Sequence, residues 1–365
     1  MARTESDRCP GVLAVHQAAD GGLARVRVPG GLLSVTQLEV LRLASAELGD
    51  GRLELTSRGN LQIRALRPDG PRELSDRLFA AGLLPSLEHE RVRNILASPL
   101  SGLDGRYDVL PVAQALDQAL CARPELAALP GRFLFAVDDG RGDLTQVGAD
   151  VLLQAVDDSE ALLCIGALSA RVTWENAVDA LLAAAAAFLQ VRDAQEWRIA
   201  EVADGAQRIF ERLGLRPGSE QPVVGLPVTA GAHGSALAVT VPLGSLTQEQ
   251  AVTLTEHAAW IRVTPWRSVV IPTVGVEPLT AVGLVTTAES PWNAVTACAG
   301  RPGCAKALAD VRADARRMLP RLPRDGRRVH WSGCERRCGK PVGDFVDVLA
   351  VGNGYLVDGE PREKW

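Results

Sequence analysis

Residues 23–28 carry apolar side chains at strand spacing and run into a Pro-Gly-Gly turn, after which the period lengthens to that of a helix. Leu38, Leu41 and Leu48 fall at helical spacing, and Ser34 or Thr36 stands where a cap would open the helix. Two more strand patterns, 52–56 and 61–66, flank a Gly59-Asn60 turn and complete a β-α-β-β unit. The same order recurs as a strand over 237–241, a Pro-Leu-Gly turn, a helix opening near Ser245 or Thr247, and strands over 260–264 and 268–271. ARVRVPGGLLSVTQLEVLRLASAE aligns with LAVTVPLGSLTQEQAVTLTEHAA, and LELTSRGNLQI with IRVTPWRSVVI. Copies roughly 210 residues apart are too distant for a solenoid, so the pattern predicts a pseudo-twofold protein whose halves pack together.

A longer α/β stretch follows each copy. The first contains strand patterns over 132–137 and 161–165 and an alanine-rich helix over 174–191. Pro217, Gly218, Pro222 and Pro227 interrupt 213–228, which reads as a linker. The expected organisation is 1–78, a ferredoxin-like half domain; 79–212, an α/β module; 213–228, the linker; 229–281, the second half domain; and 282–365, a metal-binding module. The fold class is α+β.

Charge and composition narrow the function. Only Lys306, Lys340 and Lys364 are lysines, so arginine makes up nearly all of the 39 basic residues, yet the net charge is −5 and bulk nucleic-acid binding is not indicated. Arg3, Glu5, Asp7 and Arg8 occupy the place of a signal-peptide apolar stretch, and the run 180–189 is too short to span a bilayer. A cytoplasmic protein without a membrane partner is expected. Seven cysteines in a reducing compartment argue against a disulfide framework.

Four of those cysteines form two pairs, Cys298-x5-Cys304 and Cys334-x3-Cys338. Four thiolates brought together from two loops match the ligand count of a [4Fe–4S] cluster. Zinc is the alternative, although its pairs are usually set two to four residues apart on short knuckles, unlike the Gly/Pro-rich 299–303 loop. A helix over 305–318 would aim its positive end at the anionic centre, and Arg301, Arg336 and Arg337 add positive charge.

The cysteine spacing together with the duplicated half domains resembles the sulfite/nitrite reductase superfamily over most of the chain. In that resemblance Cys338 also bridges the cluster to sirohaem iron. Thr56-Ser57-Arg58-Gly59-Asn60-Leu61-Gln62 resembles the T-x-R-x-x-x-Q tetrapyrrole-binding segment, and Arg93-Asn94 resembles the family's Arg-Asn pair. Guanidinium forks suit the carboxylates of such a macrocycle and stay charged at working pH. Arg58, Gln62, Arg64, Arg93, Asn94, Arg132 and Arg267 are therefore the expected tetrapyrrole-binding residues.

Cys9-Pro10-Gly11-Val12-Leu13, Ala97-Ser98-Pro99-Leu100-Ser101-Gly102 and Thr264-Pro265-Trp266-Arg267 resemble the precorrin-3B synthase branch. The reductases carry K-x-K where this chain has Arg132-Phe133-Leu134, which points the same way. The branch implies O2-dependent hydroxylation of precorrin-3A with γ-lactone formation, a mononuclear non-haem iron beside the cluster, NADH as the ultimate electron source and a separate electron-donor protein. The alternative is a sirohaem-dependent sulfite or nitrite reductase, and a third reading is a zinc-stabilised binding protein.

No motif identifies ligands for a second iron. Cys9 and His330 are weak candidates and are expected to pack instead; His16, His89, His233 and His257 lack ligand spacing. Cys121 and Cys164 are expected to be small core residues. Trp266 and Trp292 could line a macrocycle pocket, although tryptophans serve more often in cores.

Overall fold

The computed structural model describes residues 7, 9–104, 106–321, 326–341 and 343–362. The expected duplication takes a specific form, in which each half lends a strand to the other. Gly21–Val26, Leu61–Leu66 and Leu53–Leu55 form the first half-domain sheet, and its edge is completed by Ser245–Leu246 from the second copy. Reciprocally, Ala236–Thr240, Ser268–Pro272 and Trp260–Val263 are completed by Leu32–Ser34 from the first. Both exchanged strands lead directly into the half-domain helices, Val35–Leu48 and Gln248–His257.

Those helices begin with the same device. Ser34 accepts from the Gln37 amide while the Gln37 side chain accepts from Ser34 N, and Thr247 with Gln250 repeats the pair. Leu33, Leu38, Leu41, Leu48 and Ile63 share one core with Leu237, Leu254, Ile261 and Ile271, so the apolar faces of the two halves cover each other. Gly31 must be glycine: its φ is +72°, and a Cβ there would sit 2.2 Å from the Val263 carbonyl oxygen.

The α/β modules are also copies. Ile95–Ala97, Phe135–Asp138 and Val151–Ala155 run parallel and are followed by antiparallel Glu160–Ile165 and Leu168–Thr173. Val295–Ala297, Arg328–Ser332 and Phe345–Val351 are parallel, followed by antiparallel Gly354–Val357 and Glu360–Arg362. The first module buries its sheet under helices Leu110–Cys121, Ala177–Val191 and Gly205–Leu213, and the second under Val311–Met318. Residues 218–225 are strapped to the first module, where Gln154 exchanges two hydrogen bonds with the Val223 backbone and Gly225 N donates to the Gly142 carbonyl.

The helix expected over 305–318 is shorter. It starts at Val311, where Asp310 caps it by accepting from Ala313 N. Residues 304–310 turn instead, because Ala307 N donates back to the Cys304 carbonyl and Leu308 N to the Gly333 carbonyl. Among the described residues no helix is long and apolar enough to cross a membrane.

Candidate functional site

Two adjacent parallel strands, Val295–Ala297 and Arg328–Ser332, end at the same edge of the second module, so the loops that follow them emerge side by side. Cys298 begins one loop, with Cys304 further along it, and Cys334 and Cys338 lie on the other. Cys298 N donates to the Trp331 carbonyl (3.0 Å), and Gly333 N donates to Cys298 Sγ (3.2 Å). A Cβ at Gly333 would lie 2.7 Å from the Ala307 Cβ, which ties glycine to the close approach of the loops. Arg301 holds the intervening loop through its backbone N to Ala309 (2.9 Å) and its Nε to Ala307 (2.8 Å).

All four thiols share one neighbourhood. Burial, followed by the charges of Cys298, Cys334 and Cys304, pushes the Cys338 thiol up. A tetrahedral zinc at about 2.3 Å from each sulfur would require sulfurs roughly 3.8 Å apart. Among the described residues, the only three His, Cys, Asp or Glu ligand atoms within 4.8 Å of one another belong to aspartates. Among the described residues no three cysteine sulfurs lie within 4.8 Å of one another, and four thiols from two adjacent loops supply the ligand count of a cubane. The donor set fits that group.

Half-domain side chains clamp these loops. Arg64, paired with Asp20, donates to the Gly303 carbonyl (2.5 Å). Glu54 grips Arg312 with both oxygens (2.6 and 2.5 Å), and Arg312 Nε donates to the Cys298 carbonyl (3.2 Å). Burial opposes ionisation of Glu54, but Arg312 and Ser245 outweigh it and hold its carboxyl below the usual range. Arg267 donates to the Gly339 carbonyl (3.3 Å), one residue past Cys338. Arg64 and Arg267, expected on a tetrapyrrole, therefore lie against the cysteine loops.

A second group forms around Arg58. Arg25 stands opposite Gln62 across the first sheet, and with the Gln62 amide oxygen turned towards it accepts its Nη2 and Nε (2.5 and 3.0 Å). Arg25 and Arg27 both donate to Cys9 Sγ (3.2 and 3.4 Å). Arg27 also donates to the carbonyls of Pro10 and Arg91, and Arg58 to that of Gly131. None of Arg25, Arg27 and Arg58 has a carboxylate within 4 Å among the described residues. Burial pushes Arg27 and Arg58 down to about 10, and their neighbouring arginines deepen the shift. Both remain cations at neutral pH.

The remaining expected residues are distributed differently. Arg93 is buried, donating twice to Asp117 (2.7 Å each) and once to the Leu83 carbonyl (3.0 Å). Asn94 is fully buried; its amide nitrogen donates to the Gly131 and Phe133 carbonyls, and its oxygen accepts from Asn60. Arg132 stacks on Trp197 at 5.0 Å. His330 is buried beside Thr296 and held at about 3 by desolvation, then by Arg267, so it is neutral. Trp266 and Trp292 pack against apolar clusters of the first and second modules.

Residues 16–80 match the nitrite/sulfite reductase ferredoxin-like half domain. A precorrin-3B synthase from Sinorhizobium sp. is 28% identical over 95% of this chain and 81% of its own length. A ferredoxin–nitrite reductase from Synechococcus elongatus is 27% identical over 93% of this chain and 78% of its own. The solved Mycobacterium tuberculosis NirA protein superposes with a TM-score of 0.75, covering 92% of this chain and 74% of its own at 21% identity, and so shares the fold. Over most of its length the chain is similar to members of the sulfite/nitrite reductase superfamily, and it shares their fold.

Within this superfamily fold, the first module carries a counterpart of the cysteine site that sequence reading did not single out. Ser98 follows Ala97 as Cys298 follows Ala297, and Asp138 follows Val137 as Ser332 follows Trp331. Asp138, Asp139 and Asp143 converge there. Asp138 accepts from the backbone of Gly140, Gly142 and Leu144, Arg141 occupies Asp139, and Ser98 donates to Asp143 Oδ1 (2.7 Å). Buried Asp143 Oδ2 has no hydrogen-bond partner. With its other oxygens saturated by N–H and O–H donors, this trio is short of the six or more oxygens a calcium or magnesium ion takes. Arg25 and Arg27 were also missed, although their two-residue spacing on one strand was a usable signal.

Proposed function

We propose that this chain is an iron–sulfur oxidoreductase of cobalamin biosynthesis, acting like a precorrin-3B synthase on precorrin-3A. The observation that carries this reading is a set of arginines, buried Arg27 with half-buried Arg25 and Arg58, that has no carboxylate within 4 Å among the described residues and sits on the half domain whose Arg64 clamps the cysteine loops. Burying several guanidinium groups together is costly unless anions are brought to them. A tetrapyrrole bearing about eight carboxylates supplies such anions in one rigid body. The 28% identity to a precorrin-3B synthase over nearly the whole chain supports the same substrate class.

Cys298, Cys304, Cys334 and Cys338 would hold the [4Fe–4S] cluster, which supplies one-electron transfer from an external donor fed ultimately by NADH. Arg25, Arg27 and Arg58 would orient substrate carboxylates, while Gln62 orients Arg25. The reaction proposed is O2-dependent hydroxylation with closure of a ring acetate to a γ-lactone, served by a mononuclear non-haem iron.

Reduction of nitrite or sulfite at sirohaem is the second reading, favoured by the 27% identity to a nitrite reductase over 93% of the chain. Against it, Leu134 is buried in an apolar cluster where the reductases carry a lysine. The deciding experiment supplies anaerobically purified protein with reductant, precorrin-3A and 18O2, and separately with nitrite. The proposal expects one labelled hydroxyl in a lactone product and no nitrite consumption; the reverse pattern overturns it. Arg58→Ala should weaken tetrapyrrole binding about tenfold or more without loss of iron.

A further inference from the structure

The structure assigns Arg267 a role towards the cysteine-held cluster rather than towards substrate: we propose that it is a positioning cation whose fixed charge raises the cluster's reduction potential. The inference rests on the cluster reading above.

The duplication isolates what is unusual about this residue. In IRVTPWRSVVI, Arg267 takes the place of Gly59 in LELTSRGNLQI, and the two backbones agree, with φ of +61° at Gly59 and +60° at Arg267. Glycine adopts that left-handed conformation freely, whereas an L side chain is strained in it. The second copy thus keeps the conformation and adds a long cation to it.

Space is cleared for that cation on both sides. A Cβ at Gly244 would meet Arg267 Cδ at 2.6 Å, and one at Gly339 would meet its Nη2 at 2.4 Å. The guanidinium therefore passes between a half-domain turn and the loop of Cys338, and donates to the Gly339 carbonyl at 3.3 Å. Among the described residues no carboxylate lies within 4 Å of it, and the neighbouring Glu54 is occupied by Arg312. Cys298 is among the groups whose charge reaches Arg267, and desolvation is the main force on its ionisation.

A cluster held by four thiolates gains a further negative charge on reduction, so an uncompensated cation beside the loop of Cys338 stabilises the reduced form more than the oxidised form. A purely structural clamp would act through its hydrogen bond to Gly339 and would leave the potential alone.

The test compares the wild-type holoprotein with Arg267→Gln, Arg267→Lys and Arg267→Gly, measuring iron, sulfide and zinc content and then the midpoint potential by an EPR-monitored redox titration. Arg267→Gln and Arg267→Gly should make one-electron reduction about tenfold less favourable, a fall of ~59 mV, while Arg267→Lys keeps most of the wild-type value. Glycine suits the left-handed position, so Arg267→Gly carries the test should the glutamine variant not fold. Variants with full iron and sulfide and an unchanged potential overturn the proposal, as does a lysine variant shifted as far as the glutamine one. Wild-type protein containing zinc and no sulfide overturns instead the cluster reading, and this inference with it.

Discussion

At the scale of single residues, the molecule sorts its buried charges into two kinds. Arg312 and Arg93 are matched by carboxylates and act as clamps, and removing one partner from such a pair costs about 3–5 kcal/mol. Arg27 and Arg58 have no carboxylate within 4 Å among the described residues, and burial pushes both down to about 10. Asp143 is the acidic counterpart, pushed up to about 8 first by burial and then by Asp138. Its folded pKa lies above its unfolded value near 3.8, so its proton favours the fold fully below about pH 4, and that contribution is lost as pH rises through about 8. Asp143→Asn keeps an acceptor for Ser98 without the titration. Its urea midpoint should therefore gain on the wild type steadily between about pH 5 and pH 8 and level off above. Parallel pH profiles for the two proteins would remove the buried-acid assignment.

At the scale of elements, the reciprocal strands decide what can fold. Leu32–Ser34 and Ser245–Leu246 each complete the other half's sheet, and the helices they lead into share one core. Residues 1–228 or 229–365 expressed alone should expose an unpaired sheet edge and that core, giving poorly dispersed spectra and rapid amide exchange, whereas the two co-expressed should copurify as a folded pair. A well-dispersed spectrum from residues 1–228 alone would contradict the shared core. Most of these elements were legible in the sequence, because the periods of both repeats and the caps at Ser34 and Thr247 are local signals. The exchange itself was not, since which sheet a strand of two or three residues joins is settled by tertiary pairing. The helix expected at 305–318 starts only at Val311 for a related reason: over its first turns propensity is overridden by Leu308 N bonding to Gly333 across the cysteine loops.

At the scale of the whole molecule, two copies of one plan have diverged in chemistry. Where the second module presents Cys298 at a strand end, the first presents Ser98 bound to Asp143. The cysteine spacing picks out in the sequence the two loops that the fold sets side by side, while the arginine group was only half readable: Arg58 and Gln62 carry a motif, but Arg25 and Arg27 join them only through sheet register and the fold of residues 9–12. Resemblance expects Arg64 and Arg267 on substrate, and the packing of the half domains sets both against the cysteine loops, at the Gly303 and Gly339 carbonyls. The measurement that bears most directly on the account is metal and acid-labile sulfide analysis of anaerobically purified protein, with its absorption spectrum, beside a Cys298→Ser variant. Four sulfides per chain with at least as much iron, lost in the variant and accompanied by no sirohaem bands, is the predicted result; colourless protein holding zinc without sulfide would contradict it.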